Sequence, residues 1–233
     1  MKRDMVGDVP GNVLGMLADL AHKLQHGSIT AEELAIFLKG KNPFEQKPEP
    51  DISALISDWQ DFYNKLFGIE ADFSNLKIPE KQPGFDRLII VAKGMTPQLL
   101  YDKCKELFPC WKWTDENLNK IVESERTAKN SAYAIWVRNR VEADEELKNL
   151  SADDLKNKNI PGITLEERLI YELKYFKETK NHLDVKNITL CAGSRYSDGG
   201  VPDVYWYGGG LGLFWGSSGS RSGRWRARRA VSS

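Results

Sequence analysis

"DVYWYGGGLGLFWG", Asp203–Gly216, decides the reading of the fold. Strand side chains alternate between two faces with period two. On that period Val204 and Trp206 share one face, and Asp203, Tyr205 and Tyr207 share the other. Beyond the glycines, Leu211, Leu213 and Trp215 alternate with Gly212, Phe214 and Gly216. Gly208-Gly209-Gly210 supplies the positive φ that a tight turn needs. The stretch therefore predicts a β-hairpin with an inner scaffold face of Val204, Trp206, Leu211, Leu213 and Trp215. Its outer face is Asp203, Tyr205, Tyr207, Gly212, Phe214 and Gly216. Exposed aromatics among Gly and Ser suit recognition better than mere solubility: Tyr offers rigid amphipathic area, and Arg adds forked hydrogen bonds and stacking.

Upstream, the order of elements is legible. Residues 12–26 put Val13, Leu14, Leu17, Leu20, Ala21 and Leu24 on one helical face. Thr30–Glu33 is a capping box that opens a second helix. The Pro-rich break at 42–50 reads as a linker or extended arm, and 52–67 as a third helix. These pieces are read together as an N-terminal helical region, 1–80. After "EKQPGFD", residues 87–94 read as a buried strand, and Thr96-Pro97 as the start of a helix through Leu107. Residues 132–142 are strand-like, or continue a helix from Leu118. Residues 141–159 are charged and read as solvated. Thr164–Glu167 caps a helix to about Thr179, and 187–193 is a strand. Helices first, then mixed elements, then short strands, make an α+β arrangement with a late antiparallel sheet.

The totals narrow the function classes. The 233 residues carry 33 basic and 33 acidic side chains, so bulk charge does not direct the chain to nucleic acid or membrane. From Ile188 onward, however, six Arg stand against two Asp. Three scattered Cys argue against a disulfide framework or a zinc knuckle. No signal-type or membrane-spanning run is present, which predicts a cytoplasmic protein that does not engage a membrane. His22, His26 and His182 lack metal-site spacing, "GGGLG" is not a dinucleotide fingerprint, and Cys104 and Cys191 sit on apolar segments. The expectation is no enzyme, no metal and no cofactor.

The tail also omits letters. Residues 1–187 contain 21 Lys, 17 Glu, 5 Gln and 4 Met. At that frequency the 36 residues from Ser194 to Arg229 would hold about nine of these four types, and they hold none. This alphabet, with "AIWVRNRVEADEELKNLSA", "IPGITLEERLIYELKYFKET" and "TLCAGSRYSDGGVPDVYW", resembles the variable proteins of diversity-generating retroelements. In that family a reverse transcriptase copies a template repeat with errors at adenines, and the copy replaces the 3′ end of the target gene. Randomised Asn codons do not reach Lys, Glu, Gln, Met or Trp.

The resemblance implies a C-type-lectin-like domain over 85–233, with a variable region at about 194–229. It implies an unknown protein ligand, and a reverse transcriptase acting on the gene. The implied variable positions are Tyr196, Asp203, Tyr205, Tyr207, Gly212, Phe214, Gly216, Ser217, Ser220, Arg221, Ser222 and Arg224. Val204, Trp206, Leu211, Leu213, Trp215 and Trp225 would be constant scaffold, with Arg226, Arg228 and Arg229 as scaffold or rim charge. The N-terminal helices are candidates for self-association. Two other readings of the tail stand beside this one: a disordered Gly-rich segment, and an Arg/aromatic strip that binds single-stranded nucleic acid.

Overall fold

The computed structural model describes residues 11–40 and 51–232. It is an α+β protein with two compact units that divide between Asp51 and Ile52. The first unit contains α1 (Gly11–Gln25) and α2 (Ala31–Leu38). Thr30 caps α2 as expected: its hydroxyl accepts from the Glu33 amide while the Glu33 carboxylate accepts from the Thr30 amide. Met16, Leu17, Phe37 and Leu38 are exposed. The Pro-rich break at 42–50 lies outside the described residues.

The second unit begins with α3 (Ile52–Phe67), so its boundary lies well before residue 80, where the sequence reading ended the helical region. The reason is burial. Trp59, Phe62 and Tyr63 enter the main core, and the Tyr63 hydroxyl donates to the Ile90 carbonyl and accepts from the Ala92 amide. Those two bonds fasten α3 to β1 (Arg87–Val91), which pairs antiparallel with β4 (Tyr133–Val137). Between them run α4 (Pro97–Leu107), β2 (Cys110–Lys112), the short α5 (Leu118–Ile121) and β3 (Val122–Ser124). Thr96 caps α4 and Pro97 occupies its first turn.

The charged stretch 141–159 is not a solvated loop. It forms a 3₁₀ turn (Glu145–Leu147) and α6 (Ala152–Asn157). Leu147, Ala152 and Leu155 are buried in a second, smaller core with Leu190, Ala192, Val201 and Ala227. Most of its charges face out, Asp144 being the buried exception, paired with Arg138, while a few apolar residues suffice to seat a short helix. The main helix, α7 (Leu165–Thr179), is buried along Leu165–Lys174.

The tail supplies β5 (Ile188–Leu190), β6 (Ser194–Tyr196), β7 (Val201–Tyr207), β8 (Gly210–Gly216) and β9 (Trp225–Ala227). β6 pairs with β3, and the other four join β2 in one sheet of order β2-β8-β7-β5-β9. The sheet is mixed, not antiparallel: β2 runs parallel to β8, and β9 parallel to β5. The hairpin itself is antiparallel, with Val204 opposite Leu213 and Tyr205 opposite Gly212. Its turn is Gly208-Gly209, at φ 60° and 87°, while Gly210 already belongs to β8. After β9 the chain returns to β4, where Val231 and Trp136 exchange both backbone bonds at 2.9 Å.

Candidate functional site

The two faces of the hairpin meet different surroundings. Val204, Leu211 and Leu213 are fully buried in the main core. Trp206 is half-buried on the same face, stacked on His182 with ring centroids 3.3 Å apart. The His182 Nδ1 lies 2.8 Å from Glu172, which ties the stack to α7. Trp215 departs from the expected scaffold role, being 42% exposed. It sits at the strand end, past the edge of the core. There its indole covers Gly200, and Nε1 donates to the Asp198 carboxylate at 3.0 Å.

Across the sheet, Tyr205, Tyr207 and Phe214 form an aromatic group. Tyr205 and Phe214 have centroids 5.3 Å apart, Tyr205 and Tyr207 6.1 Å, and Tyr207 is 61% exposed. Trp111 of β2 joins them, a residue the tail reading missed. A Cβ at Gly210 would lie 2.4 Å from its ring, and one at Gly212 would lie 3.0 Å from its Nε1 and 2.2 Å from the Phe214 ring. Gly210 and Gly212 are therefore a floor under two rings. Gly212 and Gly216, expected on an open face, are both buried. A parallel partner from residues 110–112 leaves no mark in the tail's own alternation.

Two further expected site residues are covered. Tyr196 is 3% exposed, packs edge-on to Trp113 and donates to the Phe214 carbonyl at 3.2 Å. Its neighbours are core, and burial pushes its hydroxyl well above the usual range. Asp203 is likewise 3% exposed. It lies on the aromatic face, but at the end that Trp225 and Gly216 close over. Burial alone raises its carboxyl to about 7.

The loop 217–224 rims this face. Ser217, Arg221 and Arg224 are exposed, and Ser220 and Ser222 half-buried. The loop is held in shape from outside: Ser218 Oγ donates to Asp153, and Arg221 forks onto Asp154 at 2.6 and 2.7 Å. The Arg221 guanidinium and the Ser151 cap together hold the Asp154 carboxyl far below its ordinary value. The Asn149 amide donates to the Trp225 carbonyl, and the Ile188 amide to that of Arg224. Trp225 is half-buried and lies against the place a Gly216 side chain would occupy.

The closing arginines are structural. Arg226 is buried on Glu145 and Asn187. Arg228 is 1% exposed and donates to Asp184 at 2.7 Å, the Val141 carbonyl at 2.6 Å and the Arg140 carbonyl at 2.9 Å. Asp184 also pairs with fully buried Arg168, which pairs in turn with Glu172. This ionic cluster ties the chain after β9 to Arg168 and Glu172 of α7.

Among the described residues, no group of three His, Cys, Asp or Glu is placed to hold a metal ion, and no helix is long and apolar enough to cross a membrane. Burial raises the Cys104 and Cys191 thiols well above their ordinary range, opposite to what a nucleophile needs. Comparison with protein-family models, curated proteins and solved structures finds no match for the chain.

Proposed function

We propose that this chain is a ligand-binding protein whose β7–β8 face and 217–224 rim recognise a protein. In this reading residues 52–232 are a C-type-lectin-like domain, and a diversity-generating retroelement rewrites the codons of that surface. One observation carries the proposal. Tyr205, Tyr207 and Phe214 stand on one face of a strand pair whose other face buries Val204, Leu211 and Leu213 completely. Side chains on the first face can change without opening the second. A broad face of Tyr, Phe, Trp, Ser, Gly and Arg has the composition of a protein paratope.

The fold has the features such a surface needs. The rim loop is braced by α6, the hairpin by β2 and β5, and the domain's last strand by the buried Arg228 cluster. Positions best suited to diversification are Tyr205, Tyr207, Phe214, Ser217, Ser220, Arg221, Ser222 and Arg224. Tyr196 and Gly216 suit it less, because each is enclosed by packed neighbours.

Single-stranded nucleic acid is the weaker candidate ligand. Arg226 and Arg228 spend their charge inside the fold, and Arg221 is forked onto Asp154. Little of the tail's positive charge is left to neutralise phosphates.

The test is the DNA beside the gene. The proposal expects a near-copy of the codons for about 194–229, differing almost wholly at template adenines, next to a reverse transcriptase gene. Flanking DNA with neither would remove the retroelement from the account.

A further inference from the structure

β2 is an edge strand. It ends the sheet of order β2-β8-β7-β5-β9, with β8 on one side and no strand on the other. The Leu211 amide donates to the Pro109 carbonyl, and the Trp113 amide donates to the Leu213 carbonyl. In a parallel pair with Cys110 opposite Leu211 and Lys112 opposite Leu213, the residues bonded to β8 are therefore 109, 111 and 113. Cys110 and Lys112 turn their N–H and C=O groups the other way. Among the described residues none of those groups has a hydrogen-bond partner.

A cavity of about 460 Å³ borders this strand. β2 forms one wall, and Tyr101, Asp102 and Lys105 of α4 form another. No residue of β8 lines it, so it opens on the free edge. Its charged lining is balanced, Lys105 and Lys112 against Asp102 and Asp115. Trp111 is shared: it lines this cavity and also meets Gly210 and Gly212 on the aromatic face.

We propose that this edge takes a short extended segment of the protein partner, which adds to the sheet beside β2 and is held by the backbone of Cys110 and Lys112. The proposal rests on the recognition reading above and adds the form of the ligand, a strand bound through its main chain. Three features select that occupant. Unpaired backbone groups two residues apart match the main-chain groups of alternate residues on an adjacent strand. The balanced charge gives no preference for phosphate or for a strongly acidic or basic surface. The edge is 3 residues long and carries Lys112, features that discourage open-ended pairing between copies of the chain. Contacts of this kind are made by main chain, so they persist whatever side chains stand on the aromatic face.

The experiment uses the full chain, amide hydrogen exchange followed by NMR, and dodecapeptides selected against the chain from a random display library. In the free protein the Cys110 and Lys112 amides should exchange readily, while those of Trp111 and Trp113 are protected. A bound peptide should slow exchange at Cys110 and Lys112 by about tenfold or more. N-methylation along the peptide should weaken binding about fivefold at alternate positions and leave the positions between them unchanged. Lys112→Pro, which removes an outward N–H, should weaken binding about fivefold, and Lys112→Ala, which keeps the backbone, should bind within about twofold of the original. A library that yields no binder, selected peptides that leave Cys110 and Lys112 exchanging, or an N-methyl effect without alternation would overturn the proposal. So would protection of both amides without peptide that grows with protein concentration, because the edge would then pair with a second copy. Peptides that shift the resonances of Tyr205, Tyr207 and Phe214 but not these amides would end the edge site and leave the recognition reading standing. Protection of the amides with affinity unchanged in Tyr205→Ser and Phe214→Ser would keep the edge site and remove the aromatic face from the account.

Discussion

Arg224 and Arg228 are four residues apart and live in different molecules, chemically speaking. Arg228 is 1% exposed, with its guanidinium divided among Asp184 and the carbonyls of residues 140 and 141. Arg224 is exposed on the rim beside Tyr205. The same side chain is framework in one place and surface in the other. The difference teaches that a tail of one composition holds both framework and surface arginines, separated by burial and partners and not by distance along the sequence.

The largest effect should come from the framework. Arg228→Met leaves Asp184 short of a partner inside the core, and should cost about 3–5 kcal/mol in chemical denaturation. A loss under 1 kcal/mol would erase the distinction between the two arginines. Next is Asp203, which sits between the two classes: buried like framework, yet on the aromatic face of the hairpin. Its carboxyl is raised from an ordinary 3.8 to about 7, so the folded state holds its proton more tightly than the unfolded chain. Stability is therefore lost as pH rises between those values. Asp203→Asn should raise unfolding stability by roughly 4 kcal/mol above pH 7, the gain shrinking to nothing below pH 4. A gain independent of pH would mean that the carboxyl is not desolvated as described.

The two tryptophans of the hairpin sharpen the comparison further. Trp206→Ala removes a ring stacked between the sheet and His182, and should cost about 3 kcal/mol. Trp215→Ala, at 42% exposure, should cost about 1 kcal/mol. Equal losses would restore Trp215 to the core. Smallest of all, Tyr207→Ser and Arg224→Ala should each move stability by less than about 0.5 kcal/mol, measured by the same denaturation.

Much of this was legible in the residues. Capping at Thr96, Thr164 and Thr30 depends on side chains within three positions of each other, so the helices they open were readable directly. The hairpin was readable because alternation and the glycines act over a few residues. What stayed hidden depends on distant partners. Alternation assigns Asp203 to a face, but it does not say that Trp225 will close over that end. Tyr196 lies in the stretch without Lys, Glu, Gln or Met, yet β3 and Trp113 enclose it. Trp215 has the right phase and the wrong depth. Residues 141–159 looked solvated because their charges outnumber the few apolar residues that seat α6. The parallel pairing of β2, which brings Trp111 to the face, joins segments about a hundred residues apart.

The central claim is that one face of this hairpin is free to change while the other is held. Its most direct test is to sequence many copies of this gene from one natural population and map amino-acid changes onto 194–229. The account predicts changes concentrated at Tyr205, Tyr207, Phe214 and Ser217–Arg224, with Val204, Leu211, Leu213, Arg226 and Arg228 constant. Changes spread evenly over both faces, or a tail identical in every copy, would contradict it.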